Sequence, residues 1–364
     1  PFVAVDLNAV AAGLLRDLAS IQTSPHKERG YRGAAGAVMR LDDPLVMLRQ
    51  ADGTIRKIAA IGPSSARIIA EVLETGDSAT VEAAIAASGR AVDVARRRGL
   101  RNNLLSRARV LDVLRDETLA GPSLEDYRGD FQMHSKWSDG ELPLPALAAA
   151  CAARGYQHSA VTDHSFGLPL AGGLSTTDLR RQHREIDQLN DAMAGRFRLL
   201  KGVEANIQAD GSLDLSTEDL RGLELDLVLA APHAKLREST DQTARMVRAA
   251  TTPGVHILAH PRGRKLGERT GVLADWKTVF EAAAEARTAI EIDGDPSRQD
   301  LDAVAAQIAL EAGCFFALDS DAHTDRELVN AETAIAHARL AGIPPERIVN
   351  CWPLDRLMDW AIER

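Results

Sequence analysis

The chain has 364 residues, 45% of them apolar and 26% charged, an ordinary globular composition that excludes a fibrous or disordered class. Its cysteines, Cys151, Cys314 and Cys351, lie far apart with no Cys-x-x-Cys pair, which excludes a disulfide framework and a thiolate zinc site. The net charge of −9 is uneven, with 17 Lys and Arg against 14 Asp and Glu in residues 1–120 and 26 against 38 thereafter, so a mildly basic part precedes an acidic body. No run approaches the roughly 20 apolar residues that span a bilayer, and no basic flank with an apolar segment opens the sequence, so a cytoplasmic protein without membrane contact is expected.

Residues 1–115 read as a small all-helical domain. Asn8 to Ile21, Tyr31 to Arg40, Ser64 to Glu74 and Val81 to Ala87 carry apolar residues at i, i+3, i+4 spacing, and nothing alternates like a strand. Residues 116–127 are polar and turn-rich, as a linker would be. From 128 to 364 the texture becomes strand, loop, helix, repeated, with helices expected at Leu144 to Ala153, Thr177 to Met193, Asp241 to Ala250, Trp276 to Ala286, Leu301 to Ala312 and Asn330 to Ala341. Seven short apolar runs alternate with them, so the fold class is α/β, a parallel sheet closed as a (β/α)7 barrel after the helical domain.

Each of the seven runs stops at or near a His, Asp or Glu. His134, His164, His233, His260 and His323 all fall at run ends in a chain with ten histidines. Strands closed into a barrel converge such ends on one point. Adding Asp139, Glu204 and Asp321 gives a ligand set sufficient for two or three divalent cations, mixed in nitrogen and oxygen, which suits Mn²⁺, Zn²⁺ or Fe²⁺. Clustered cations clamp the attacking and leaving oxygens of a displacement at phosphorus, so phosphoester hydrolysis is the chemistry expected. Arg262, Arg264 and Arg298 follow two of the run ends, where guanidinium groups suit non-bridging phosphate oxygens; solvated loop arginines are the alternative.

Gly129 to His134 with Trp137-Ser138-Asp139-Gly140, then Thr162-Asp163-His164-Ser165, Gly202 to Ile207, Ala231-Pro232-His233, His260 to Arg264 and Ser320 to His323 resemble, in order, the motifs of the PHP (polymerase and histidinol phosphatase) superfamily. The likeness is greatest to the PHP domain of bacterial family X DNA polymerases, over about residues 128–352. The resemblance implies a distorted (β/α)7 barrel and a trinuclear site with His134, Asp139, His164, Glu204, His233, His260, Asp321 and His323 as metal ligands. Glu204 would bridge two metals, and catalysis would depend on Glu204, His233 and Asp321. Where the family opens with His-x-His, this chain has Gln132-Met133-His134, and a carboxamide is the weaker ligand. Lys136 nearby adds a positive charge that either disfavours the cation there further or holds substrate phosphate.

The helical domain resembles the eight-kilodalton domain of the same polymerases, with a helix-hairpin-helix at Ile58 to Ile69 in which Gly62, Ser64, Ser65 and Arg67 would meet a DNA phosphate. Ala60 stands where the first glycine of the usual Gly-x-Gly would be, and Ile68 where lyase-active members carry the Schiff-base lysine, so no lyase activity is expected by that route. A module that serves packing alone is the alternative. About 30 residues separate this module from the barrel, too few for a nucleotidyltransferase palm. The expected function is therefore metal-dependent phosphoester hydrolysis on DNA, single-stranded, damaged or at a 3′ end, in repair and without polymerase activity. A small-molecule phosphatase resembling histidinol-phosphate phosphatase, and a non-enzymatic DNA-binding protein with a decayed metal site, are the alternatives.

Overall fold

In the computed structural model, which describes residues 5–364, the chain parts into two units at Asp116 and Glu117. The first contains α1 (Leu7–Ile21), α2 (Pro25–Met39), α3 (Pro63–Thr75), α4 (Ala79–Ser88), α5 (Ala91–Gly99) and α6 (Arg107–Arg115). The Asp6 carboxylate caps α1 by accepting from Ala9 N at 2.9 Å and also accepts from Ser106, tying the starts of α1 and α6 together. Leu15, Leu18, Val38, Ile69 and Val72 make the core. The apolar spacing announces α1 to α4 but not α5, whose sequence carries Arg96, Arg97 and Arg98 and buries only Val94.

The helix-hairpin-helix is not formed as expected. An α-helix is required on both sides of the turn, yet only α3 follows it. Before it, residues 49–55 double back through an Arg49–Ile55 antiparallel bridge, because Asp52 accepts from Thr54 N at 2.9 Å and Gly53 takes φ +83°, which closes a turn where a helix would run. Ala60 adopts φ +65°, the left-handed conformation that glycine takes without cost. Gly62 is the N-cap of α3, and Gly62, Ser64 and Arg67 are exposed. Ser65 is buried, so it does not face solvent as a DNA contact must.

The second unit begins, after irregular chain, with α7 (Leu144–Ala153), β1 (His158–Val161), α8 (Thr176–Met193) and β2 (Arg198–Asn206). It continues through α9 (Thr217–Gly222), β3 (Leu227–Ala231), α10 (Thr243–Ala250), β4 (Ile257–Leu258), α11 (Trp276–Glu285) and β5 (Ala289–Asp293), and ends with α12 (Ala303–Glu311), β6 (Phe316–Asp319), α13 (Ala331–Ala341) and α14 (Leu354–Ile362). The six strands are parallel and lie in chain order. Helices intervene between them, the connection that parallel neighbours require.

The first of the seven apolar runs is not a regular strand, yet it bonds to both edges of the sheet. Asp130 O and Met133 O accept from Ala160 N and Thr162 N on the β1 side at 2.9 Å each, and His134 N donates to Ala322 O beyond β6 at 2.9 Å. Side chains interrupt its ladder: Phe131 N donates to Asp319 Oδ1 and Gln132 N to Asp130 Oδ1. A seventh, distorted stave thus joins β6 to β1.

Along each strand alternate residues face inward. Leu200, Leu227, Leu229, Ile257, Ala289 and Ala317 belong to one buried apolar cluster with Trp352 and Trp360. Moving along the same parity toward the strand ends, the residues become Glu204, His233, Glu291, Asp293, Asp319 and Asp321. The interior therefore passes from apolar side chains to carboxylates and imidazoles. Among the described residues no helix is long and apolar enough to cross a membrane.

Candidate metal centre

All eight carboxylates and imidazoles named as ligands come together at the strand ends. Glu204 lies at their middle, fully buried two residues before the end of β2. Its Oε1 is 2.9 Å from His260 Nε2 and 3.4 Å from His233 Nε2, while its Oε2 is 2.8 Å from His164 Nδ1 and 3.6 Å from His134 Nε2. Asp139 gathers a second set: Oδ2 is 3.6 Å from His164 Nε2, and Oδ1 is 3.5 Å from His323 Nε2 and 3.8 Å from His134 Nδ1. Asp321 Oδ1 is 3.2 Å from His134 Nε2.

Backbone geometry aims these side chains. His260 follows β4 at φ +25° and Asp321 follows β6 at φ +51°, conformations seldom taken outside glycine and concentrated at functional sites. Glu291 Oε2 holds the first by accepting from His260 N at 2.5 Å, which gives the Glu291/Asp293 run its supporting place.

The donor set fits divalent metal. A cation about 2.1 Å from each ligand separates neighbouring ligands by roughly 3.0–3.4 Å, and the pairs here, at 2.8–3.8 Å, bracket that range. Two groups have all their donor atoms within 4.8 Å of one another: His134, Asp139, His164 and His323, and His164, Glu204 and His233. His164 Nδ1 and Glu204 Oε2, though close, make no hydrogen bond, and neither do His134 Nδ1 and His260 Nδ1. Buried polar atoms without partners are rare in native structures unless a water or ion completes them.

The charges are arranged accordingly. Burial would raise the Glu204 carboxyl, but His164 and His233 hold it well below the usual range; Asp139, likewise opposed by burial, is lowered to about 2 by His323, His134 and His164. Burial would lower His164 and His323, yet Glu204 and Asp139 respectively lift each to about 9. For His233 burial prevails over Glu204 and the imidazole is pushed down, toward the neutral form that ligates metal. Beneath the ligands, burial and repulsion from neighbouring carboxylates hold Asp130, Glu291 and Asp293 well above the carboxylate range, and burial, opposed by hydrogen bonds from Phe131 N and Asn350, raises Asp319 to about 6.

Two supporting residues carry no assignment from sequence. Asn206 Oδ1 is 2.6 Å from His233 Nδ1, fixing that ring, and is itself held by Asp214 and Ser165. Asp163 accepts from Ser135 N, Ser135 Oγ, Ser138 Oγ and Gln182 Nε2, and so orders the loop that delivers Asp139. For Asn206 the signal was its place two residues after Glu204 on one strand face.

The arginines divide. Arg262 and Arg264 are not brought to the cluster: Arg262 pairs with Asp300 at 2.8 Å and Asp302 at 2.7 Å, and Arg264 Nε donates to Arg298 O at 2.8 Å. They are spent bracing residues 298–302, which corrects the expectation that they hold phosphate. Arg298 does enter the site, its Nη2 3.1 Å from Asp321 Oδ2. Lys136 is exposed on the loop between His134 and Asp139, its backbone N–H bound to Leu142 O.

No family model matches the chain. It is 37% identical over 228 residues to the DNA polymerase/3′-5′ exonuclease PolX of Bacillus subtilis, a match covering 62% of this chain and 40% of that protein. It is 32% identical over 166 residues to the probable phosphatase YcdX of Escherichia coli, covering 43% and 64% respectively, so the chain spans less than two thirds of either relative. A histidinol phosphate phosphatase of Lactococcus lactis, solved with zinc, L-histidinol and phosphate, aligns with a TM-score of 0.44 at 17% identity over 58% of this chain and 94% of that one. With sequence identity of this extent to PolX and YcdX and the motif residues gathered at one end of a parallel sheet, the chain belongs to the PHP superfamily.

Proposed function

We propose that the second unit is a divalent-metal-dependent phosphoesterase acting on DNA, as a 3′–5′ exonuclease or in abasic-site or 3′-end processing, within cytoplasmic DNA repair and without polymerase activity. The observation that carries this reading is Glu204, fully buried, with both oxygens turned to imidazoles and one of them lacking any hydrogen bond. In this reading residues 1–115 contact DNA, residues 116–127 link, and residues 128–364 hydrolyse. The PolX relative, a DNA polymerase/3′-5′ exonuclease by name, supports a DNA substrate.

Asp139, His164 and His323 would hold one cation, Mn²⁺, Zn²⁺ or Fe²⁺, and Glu204, His233 and His260 another, with His134 between the two groups. Bound there, such cations polarise a phosphoryl oxygen and lower the pKa of water. The chain does the rest. Asn206 keeps the Nε2 of His233 turned to Glu204, and Glu291 fixes the backbone of His260. Asp321 stays ionised beside Arg298, and Arg298 and Lys136 present positive charge to phosphate oxygens.

A second reading, a phosphatase of small phosphomonoesters, is favoured by a cavity of about 350 Å³ lined by Phe166, Asn206, Gln208, Asp214 and His233, a size that suits a small organic group. One assay separates them. Mn²⁺-loaded protein is given 3′-labelled single-stranded DNA, an abasic-site duplex and a phosphomonoester panel, with Glu204→Gln as control. Shortening or nicking of DNA, lost by more than about 10²-fold in the variant, is expected. Release of phosphate from the panel alone selects the second reading, and no hydrolysis of any substrate overturns both.

A further inference from the structure

One corner of the cluster is built differently from the others. Gln132 and His134 lie two apart on the distorted stave, while Met133 between them points away, its Sδ 3.5 Å from Cys151 Sγ. Gln132 is fully buried, and both its Oε1 and its Nε2 lack a hydrogen-bond partner. An amide so placed costs free energy unless something completes it. Asp321, the remaining carboxylate of this corner, belongs to neither of the two groups whose donors lie within 4.8 Å of one another. One of its oxygens is 3.2 Å from His134 Nε2, and the other is 3.1 Å from the Arg298 guanidinium.

Arg298 is itself anomalous as a surface residue. Its side chain is 16% exposed, Nε lies 3.6 Å from Asp293 and 3.5 Å from Asp295, and neither Nε nor Nη1 makes a hydrogen bond. Its loop is fixed from outside by Arg264, which takes the Arg298 carbonyl. The corner therefore holds a fixed positive charge against Asp321, and two residues before His134 the chain offers a neutral side chain of poor affinity for metal.

We propose that the Arg298 guanidinium supplies, at the corner of Gln132, His134 and Asp321, the positive charge that a third divalent cation would bring, so that the chain holds two divalent cations. This rests on the two cation positions of the proposed function. Gln132 and Arg298 work as a pair: the amide withholds a ligand, and the guanidinium, already paired with Asp321, repels a cation. Its Nε and Nη1, which make no hydrogen bond, remain for the oxygens of a phosphate.

The test is a count. Full-length chain is stripped with chelator, dialysed against Mn²⁺ and measured for metal per protein by elemental analysis. Wild type is expected to retain two equivalents, Gln132→His still two because Arg298 is in place, and Gln132→His with Arg298→Met three. If circular dichroism shows the double variant unfolded, Gln132→His with Arg298→Gln, which retains length and donors, replaces it. Three equivalents in wild type or in Gln132→His alone overturn the inference and leave the two-cation reading standing. A folded double variant that stays at two overturns it equally, and fewer than two in wild type overturns both.

Discussion

Both units bury charge, and they treat it in opposite ways. In the helical unit Asp17 is 1% exposed, with Arg98 Nε 2.6 Å from one oxygen and Arg101 on the other, so the protein's own atoms satisfy it. In the barrel unit His134 Nδ1, Glu204 Oε2, His260 Nδ1 and both polar atoms of Gln132 are equally buried and lack hydrogen bonds. A satisfied buried charge is architecture. A concentration of unsatisfied ones, held by strained backbone at the strand ends, is a site awaiting a ligand.

The contrast is broken most strongly by pH. Without metal, His164 and His323 titrate at about 9 against an ordinary value near 6.5 when unfolded. A raised folded pKa contributes stability that is complete below pH 6.5 and lost as pH rises through 9, up to about 3 kcal/mol for each histidine. The raised carboxyls of Asp130, Glu291 and Asp293 act in the same direction. All four tryptophans lie in the barrel unit, so their fluorescence reports it alone. Urea midpoints of chelated protein should fall by several kcal/mol equivalents between pH 6.5 and 9, and Mn²⁺ at pH 9 should restore them by taking the place of the protons. A flat or rising midpoint would contradict the charge arrangement described.

On the helical side, Asp17→Ala leaves the nearly buried Arg101 without its carboxylate and Arg98 with Glu82 alone. A loss of about 3 kcal/mol is expected, as for other broken buried pairs, seen in far-ultraviolet circular dichroism. Metal content should not change. In the barrel the matching substitution is Asn206→Ala, which frees the His233 ring without removing a ligand. Ten- to hundredfold weaker metal binding by competitive titration is expected, about 1.4–2.7 kcal/mol, with little change in the tryptophan-monitored midpoint.

These differences also mark what was legible in the sequence. The ligands could be read because strand ends of a parallel sheet converge, so short apolar runs ending in His, Asp or Glu already specify a shared point. Arg262 and Arg264 could not be sorted from Arg298, since all three follow strand ends and only the packing of residues 298–302 decides which guanidinium turns inward. The irregular first stave was equally hidden. Its apolar run reads as a strand, and it departs because Asp130 and Asp319 capture backbone N–H groups that a neighbouring strand would otherwise take. α5 escaped because its arginine-rich turn leaves a stripe of one buried valine.

The smallest effect concerns the turn before α3. Ala60 is exposed and sits at φ +65°, where a Cβ costs about 1–2 kcal/mol and glycine almost nothing. Glycine gives back part of this through the greater freedom of its unfolded chain, about 0.5–1 kcal/mol. Ala60→Gly should therefore stabilise the helical unit by roughly 0.5–1 kcal/mol in circular-dichroism melts, leaving tryptophan fluorescence unmoved. It also removes the methyl group beside Ile61 and Gly62, so binding of single-stranded DNA at low salt should rise if this turn meets phosphate. Stabilisation without tighter binding would assign the turn to packing alone, and destabilisation would show that Ala60 does not hold the left-handed conformation in solution.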